Sequence, residues 1–229
     1  MTTGGSFMQN QQPSTLKEIR VHGTQDFPCA FYQTGTRIKG NMVKHHWHEE
    51  VELLYFSGGE FCLEVNMERF NISEECFYVI NPGELHSISV EKNGGCVENA
   101  VVFHMDMLSS AYALDQIQTN LIQPVQNGSI QFPRCLRKNE PAFEPVRKSY
   151  EEIRNVFGGD SFRENYYDGE AVTDDITRQL FIKSALLRIL AVLSANNLFE
   201  VTEKNHDHRI ETIKTTLTYI QENYKEKIY

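Results

Sequence analysis

The chain has 229 residues and a formal net charge of −9, enough length to bury a real core as one large domain or two small ones. Its 40% hydrophobic and 23% charged residues are an ordinary globular mixture. A chain so acidic gains nothing by releasing counterions from DNA, so nucleic-acid affinity is not expected of these residues. Five cysteines, Cys29, Cys62, Cys76, Cys96 and Cys135, are scattered and odd in number. That pattern points to reduced thiols and a cytoplasmic setting. No signal peptide and no apolar run of bilayer-spanning length is present, so no membrane association is expected.

Residues 1–15 are polar and aperiodic and read as a disordered lead. From Ile19 to Phe103 short β-type runs follow one another: IRVH (19–22), CAFYQ (29–33), VELLYF (51–56), a run over 60–65, CFYVI (76–80), HSISV (86–90) and ENAVVFH (98–104). Ser57-Gly58-Gly59, Asn81-Pro82-Gly83 and Asn93-Gly94-Gly95 supply the breaks. Many short strands without intervening helices predict a sandwich or closed barrel, here spanning 16–136. A short helix over 107–117 is expected before a loop holding Pro124, Gly128 and Pro133.

A helical region is predicted over 137–200. Phe143, Val146, Tyr150, Ile153 and Phe157 fall at steps of three and four, one apolar stripe ended by Gly158-Gly159. The acidic and aromatic stretch DSFRENYYDGEAV reads as an exposed loop, its Phe162–Tyr167 portion solvated. The longest helix is expected over 174–198, with a side-chain oxygen of Thr173-Asp174-Asp175 capping its first amides. Ile176, Leu180, Leu187, Leu190 and Ala191 trace one face, and Leu186, Ile189, Val192 and Leu193 carry apolar surface further round. Such a helix must bury two faces, one within the chain and one against a second copy. Leu186, Leu187, Leu190 and Leu193 are the expected homodimer contacts. Residues 201–208 read as a polar linker, and 209–229 as an amphipathic helix with Ile210, Ile213, Leu217 and Ile220 on one side.

The chemistry concentrates between Gly40 and His86. Residues two apart on a strand share a face, so His46 and His48 project together and Glu52 can join them. His86 follows the Pro82-Gly83 turn and can approach from a neighbouring strand. Three imidazoles and a carboxylate suit one first-row divalent ion such as zinc, nickel, manganese or iron. They equally suit a polar pocket floor for a small-molecule effector, or a cluster hydrogen-bonded only to itself. Glu50 shares the parity of Glu52, so geometry alone does not choose between them. His45 falls on the opposite, exposed face, and Trp47 either lines a pocket mouth or caps the barrel. Cys62 and Cys76 read as small buried hydrophobes. No nucleophilic triad and no phosphate-binding glycine loop is visible.

The spacing Gly40-x5-His46-x-His48-x3-Glu52-x6-Gly59, with Pro82-Gly83-x2-His86, resembles the cupin motifs, although Glu75-Cys76 stands where Gly-Asp often opens the second. HHWHEEVELLYFSGG and VINPGELHS resemble more closely the N-terminal sensor domain of AraC-type transcription regulators. That resemblance implies an α+β chain: a cupin-like antiparallel β-barrel, or jelly roll, followed by a helical dimerisation region. It favours Glu52 over Glu50, and it implies an effector-sensing, non-enzymatic homodimer. TLTYIQENYKEKI resembles the first helix of the family's DNA-binding domain. DNA is then contacted only through a C-terminal domain whose remainder is absent from this sequence. The rival is a metal-dependent cupin enzyme, a dioxygenase or isomerase, using the same four side chains with an open coordination position.

Overall fold

The computed structural model describes residues 16–93, 96–112, 114–158, 169–202 and 208–223. Eight strands build a sandwich: β1 (Cys29–Thr36), β2 (Gly40–His46), β3 (Val51–Phe56), β4 (Phe61–Val65), β5 (Glu68–Ile72), β6 (Cys76–Ile80), β7 (His86–Val90) and β8 (Cys96–Phe103). Short strands β10 (Cys135–Arg137) and β11 (Gly169–Ala171) extend it, and β9 (Ile130–Gln131) and β12 (Glu200–Val201) form a separate pair. One sheet runs β10-β6-β3-β8-β1-β11, the facing one β2-β7-β4-β5, and β9 pairs with β12. All these pairings are antiparallel.

Strand parity separates two cores. Leu54 and Phe56 of β3, Tyr78 and Ile80 of β6, and Ala100 and Val102 of β8 turn inward and meet Phe61, Leu63 and Ile88 of the smaller sheet. The alternate residues, Val51, Leu53, Tyr55, Phe77, Val79, Val101 and Phe103, turn outward and are covered by helices. Those are α2 (Phe143–Phe157) and α3 (Ile176–Ala195), preceded by the single turn α1 (Gln123–Gln126) and followed by α4 (His208–Asn223). No described helix is long and apolar enough to cross a membrane.

α2 matches its predicted stripe, with Phe143, Val146, Tyr150, Ile153 and Phe157 all buried. α3 begins where expected, and the Asp175 carboxylate accepts the Arg178 amide at 2.8 Å. Its two faces are now distinguishable. Leu186, Leu190 and Leu193 are buried within the chain, while Leu187 is turned out with Ile176, Leu180 and Phe181. Three of the four expected dimer contacts therefore pack against their own sheet and α2, and only Leu187 is left for a partner.

Other expectations are corrected. Residues 19–22 form no strand; just before them an isolated β-bridge pairs Lys17 with Trp47. The helix expected over 107–117 is replaced by a 3-10 turn at Met105–Leu108 and a π-helical turn at Gln118–Ile122. Met105 and Met107 both drop into the helix-side core at a spacing of two, which no α-helix allows. Most of the Phe162–Tyr167 loop, the 201–208 linker and the 1–15 lead lies outside the described residues.

Candidate metal and effector site

β2, β3 and β7 bring the predicted residues to one end of the sandwich. His46 closes β2 directly opposite His86, the first residue of β7, after a register shift between Val43 and His46. Glu52 is inward on β3, opposite Ile80 and Val102. The His48 carbonyl accepts the Gly83 amide at 2.7 Å, so the turn before His86 also fixes His48. Gly83 has φ +79°, a left-handed conformation that glycine adopts without strain. Below that turn the buried Glu84 carboxylate takes the Asn81 amide at 2.7 Å and is bridged by Arg134.

Each of the three imidazoles is oriented by a backbone carbonyl. His46 Nδ1 lies 2.8 Å from the Lys44 carbonyl, His86 Nδ1 2.9 Å from that of Glu84, and His48 Nδ1 3.2 Å from that of Glu50. A carbonyl only accepts, so each Nδ1 donates and each ring turns its Nε2 away from that carbonyl. Those atoms turn to the carboxylate: His86 Nε2 is 3.0 Å and His48 Nε2 3.4 Å from Glu52 Oε2. The three histidines can place one nitrogen each within 4.8 Å of one another. Glu50 instead lies on the Nδ1 side of His48, at 3.6 Å. Glu52 is thus the carboxylate of the cluster.

Glu52 Oε2 and His86 Nε2 are buried without a hydrogen-bond partner among the described residues. A carboxylate oxygen facing a bare imidazole nitrogen at 3.0 Å needs a cation between them, either a proton or a metal ion. Burial alone raises the Glu52 carboxyl, but the His48 and His86 imidazoles prevail and hold it well below the usual carboxylate range. Burial likewise opposes charge on His48, yet Glu52 raises it. His46, desolvated and repelled by His86, is pushed down to about 4 and presents a neutral nitrogen near neutral pH. By ligand type the three imidazoles, with Glu52 beside two of them, allow a divalent ion, whose bonds of about 2.0–2.2 Å set neighbouring ligand atoms roughly 3.0–3.6 Å apart.

His45 is exposed and bound to Glu64 at 3.1 Å, as its parity required. Trp47 is flanked by the ammonium groups of Lys17 at 5.0 Å and Lys214 at 4.3 Å. Three residues escaped the sequence reading. Glu18 lies 3.3 Å from His46 Nε2 and 3.5 Å from His22 Nε2, and Glu98 is buried on the inner side of β8. Parity with Val102 marks Glu98 as inward, whereas nothing local predicts that residues 18–22 fold back over the site.

Residues 33–155 match the family model described as the AraC-like ligand binding domain. The chain is 25% identical over 221 residues to a Bacillus subtilis (strain 168) protein, the uncharacterized HTH-type transcriptional regulator YdeC, covering 93% of this chain and 67% of that one. Among solved structures, a cupin protein from Bacteroides fragilis shares 14% identity over 38% of this chain and 75% of its own, with a TM-score of 0.32. A variant of salicylate 1,2-dioxygenase from Pseudoaminobacter salicylatoxidans shares 11% over 34% of this chain and 22% of its own, with a TM-score of 0.31.

Proposed function

This chain belongs to the family of AraC-like ligand-binding domains, and from that premise we propose that it is the effector-sensing and dimerising part of a cytoplasmic transcription regulator, with no catalytic role. The observation that carries the reading is the buried Glu52–His86 contact, whose facing atoms need a cation between them, inside a largely apolar sandwich. Polar groups left unpaired in such surroundings cost free energy and are kept where a ligand satisfies them. His46, His48, Glu52 and His86 would hold one zinc, nickel, manganese or iron ion, which supplies a Lewis-acidic anchor for an oxygen-bearing effector. The backbone carbonyls of Lys44, Glu50 and Glu84 keep the rings oriented with or without it.

Dimerisation is assigned to the outward stripe of α3, Ile176, Leu180 and Leu187. An exposed apolar stripe is uncommon on a monomer, and a two-fold pair suits proteins that read repeated half-sites. In the whole regulator α4 would begin the DNA-reading domain, and DNA would be contacted only there.

Elemental analysis of protein purified without an affinity metal column tests the ion, and thermal shift against small molecules tests the effector. About one divalent ion per chain is expected. An effector present at 100 times its Kd should add about 2.7 kcal/mol, a rise of roughly 5–10 °C in Tm. Metal-free protein that gains nothing from either metal or effector would defeat the reading.

A further inference from the structure

We propose a second seat for a divalent transition-metal ion, formed by Glu18, His22 and His48 at the outer side of the barrel site. It stands apart from the effector reading because two of its three ligands lie in the segment before the first strand, upstream of the residues that match the family. One ligand atom from each of the three residues lies within 4.8 Å of the other two.

The segment is built to hold them there. The Glu18 amide donates to the Trp47 carbonyl at 2.9 Å, and the Trp47 amide to the Leu16 carbonyl at 3.0 Å, so Glu18 is tied to the residue between His46 and His48. Gly23 then turns the chain with φ +85°, so close to Phe27 and Cys29 that a Cβ would meet their backbone atoms at 2.5 Å. No other residue fits that turn, which sets His22 inward. His22 is 4% exposed, its Nδ1 lies 2.8 Å from the Tyr32 hydroxyl, and its Nε2 has no hydrogen-bond partner among the described residues. That leftover nitrogen faces Glu18 Oε2 at 3.5 Å. The separation is close to the roughly 3.4 Å between two ligands of a tetrahedral ion with bonds near 2.0–2.1 Å. Imidazole and carboxylate together select zinc or its neighbours over calcium or magnesium.

His48 offers one available nitrogen, because its Nδ1 is held by the Glu50 carbonyl. The two seats therefore compete for it. An ion in the outer seat draws the 16–22 segment down onto the barrel end, and an ion in the inner seat releases His22.

The test is titration of the whole chain with zinc chloride, read by calorimetry and elemental analysis, with folding checked by circular dichroism. His46→Ala with His86→Ala breaks the inner seat and leaves the outer one whole. Glu18→Gln with His22→Gln does the reverse. Each pair alone should retain one zinc, and the four changes together should abolish binding. Adding the Glu18 and His22 changes to the inner-seat variant should weaken zinc by more than the 10–100-fold expected of losing an outer-shell partner. If His86→Ala unfolds the chain, His46→Asn with Glu52→Gln replaces that pair and carries the same expectation. A folded inner-seat variant that binds no zinc overturns the proposal and leaves the inner seat standing. Loss confined to the Glu18 and His22 variant supports the outer seat and removes the inner one. Wild type without zinc overturns both.

Discussion

Glu98 shares its side of β8 with Ala100 and Val102, so a second carboxyl lies in the apolar interior that holds Glu52. Burial raises the Glu98 carboxyl well above the usual range, and the charge of Glu52 adds to the effect. Its Oε1 has no partner among the described residues, so the interior takes it as the neutral acid. A carboxyl raised on folding contributes stability that is complete below its unfolded value, near 4.5. That stability is lost as pH rises towards the folded value, at about 1.4 kcal/mol per pH unit. Glu98→Gln should remove one proton's worth of that slope, so that denaturant midpoints of variant and wild type diverge from pH 5 upward in favour of the variant. Parallel pH profiles would show that Glu98 ionises freely. The inner residues were legible from the spacing of their motif rather than from parity along one strand, because His46 closes β2, His48 lies beyond it and Glu52 is on β3 of the facing sheet. Glu18 and His22 were not, because their place depends on hydrogen bonds to Trp47 made by a segment that is not itself a strand.

α3 shows how far periodicity goes for an element. Apolar residues around most of its circumference required two buried faces, but they did not say which face the chain would cover itself. The sheet decides that: Ile182, Ala185, Leu186, Ile189, Leu190 and Leu193 lie against it and α2. Leu190→Ala should accordingly cost about 2–5 kcal/mol, as an internal cavity does, and Leu187→Ala within about 0.5 kcal/mol if the chain is monomeric. Urea unfolding separates the two. Leu180→Glu with Leu187→Glu should leave the fold intact and halve the mass seen by light scattering, since neither side chain is needed inside. A dimer that survives both charges is joined elsewhere. α2 was readable to the residue because a single stripe faces a single partner. The 107–117 stretch was misread because Met107 packs with Met105 into the helix-side core, and Tyr112, Leu114 and Ile117 are left exposed.

At the scale of the molecule the sandwich was legible from repeated short strands and turns, and the pairing order of its strands was not. A further arrangement emerges only when all elements are placed. Trp47 separates the two inward histidines, and its ring carries Lys214 of α4 at 4.3 Å. Lys214 is 9% exposed, the only buried residue among the described side chains of α4. Its ammonium also lies near Gly83, in the turn that fixes both His48 and His86. The site and the last helix therefore grip opposite sides of the same tripeptide. A shift of His46 or His48 towards a ligand must move Trp47, and with it the seat of Lys214. A desolvated ammonium–indole contact is worth about 1–2 kcal/mol. Trp47→Ala should therefore raise amide exchange across 208–223 by roughly 5–30-fold while leaving β3, β6 and β8 protected. Zinc added to wild type should change exchange in the same helix and have no effect on it in the Trp47 variant. If protection of α4 is the same with and without the indole, the helix is held by other contacts, and occupancy of the site does not reach it through Trp47.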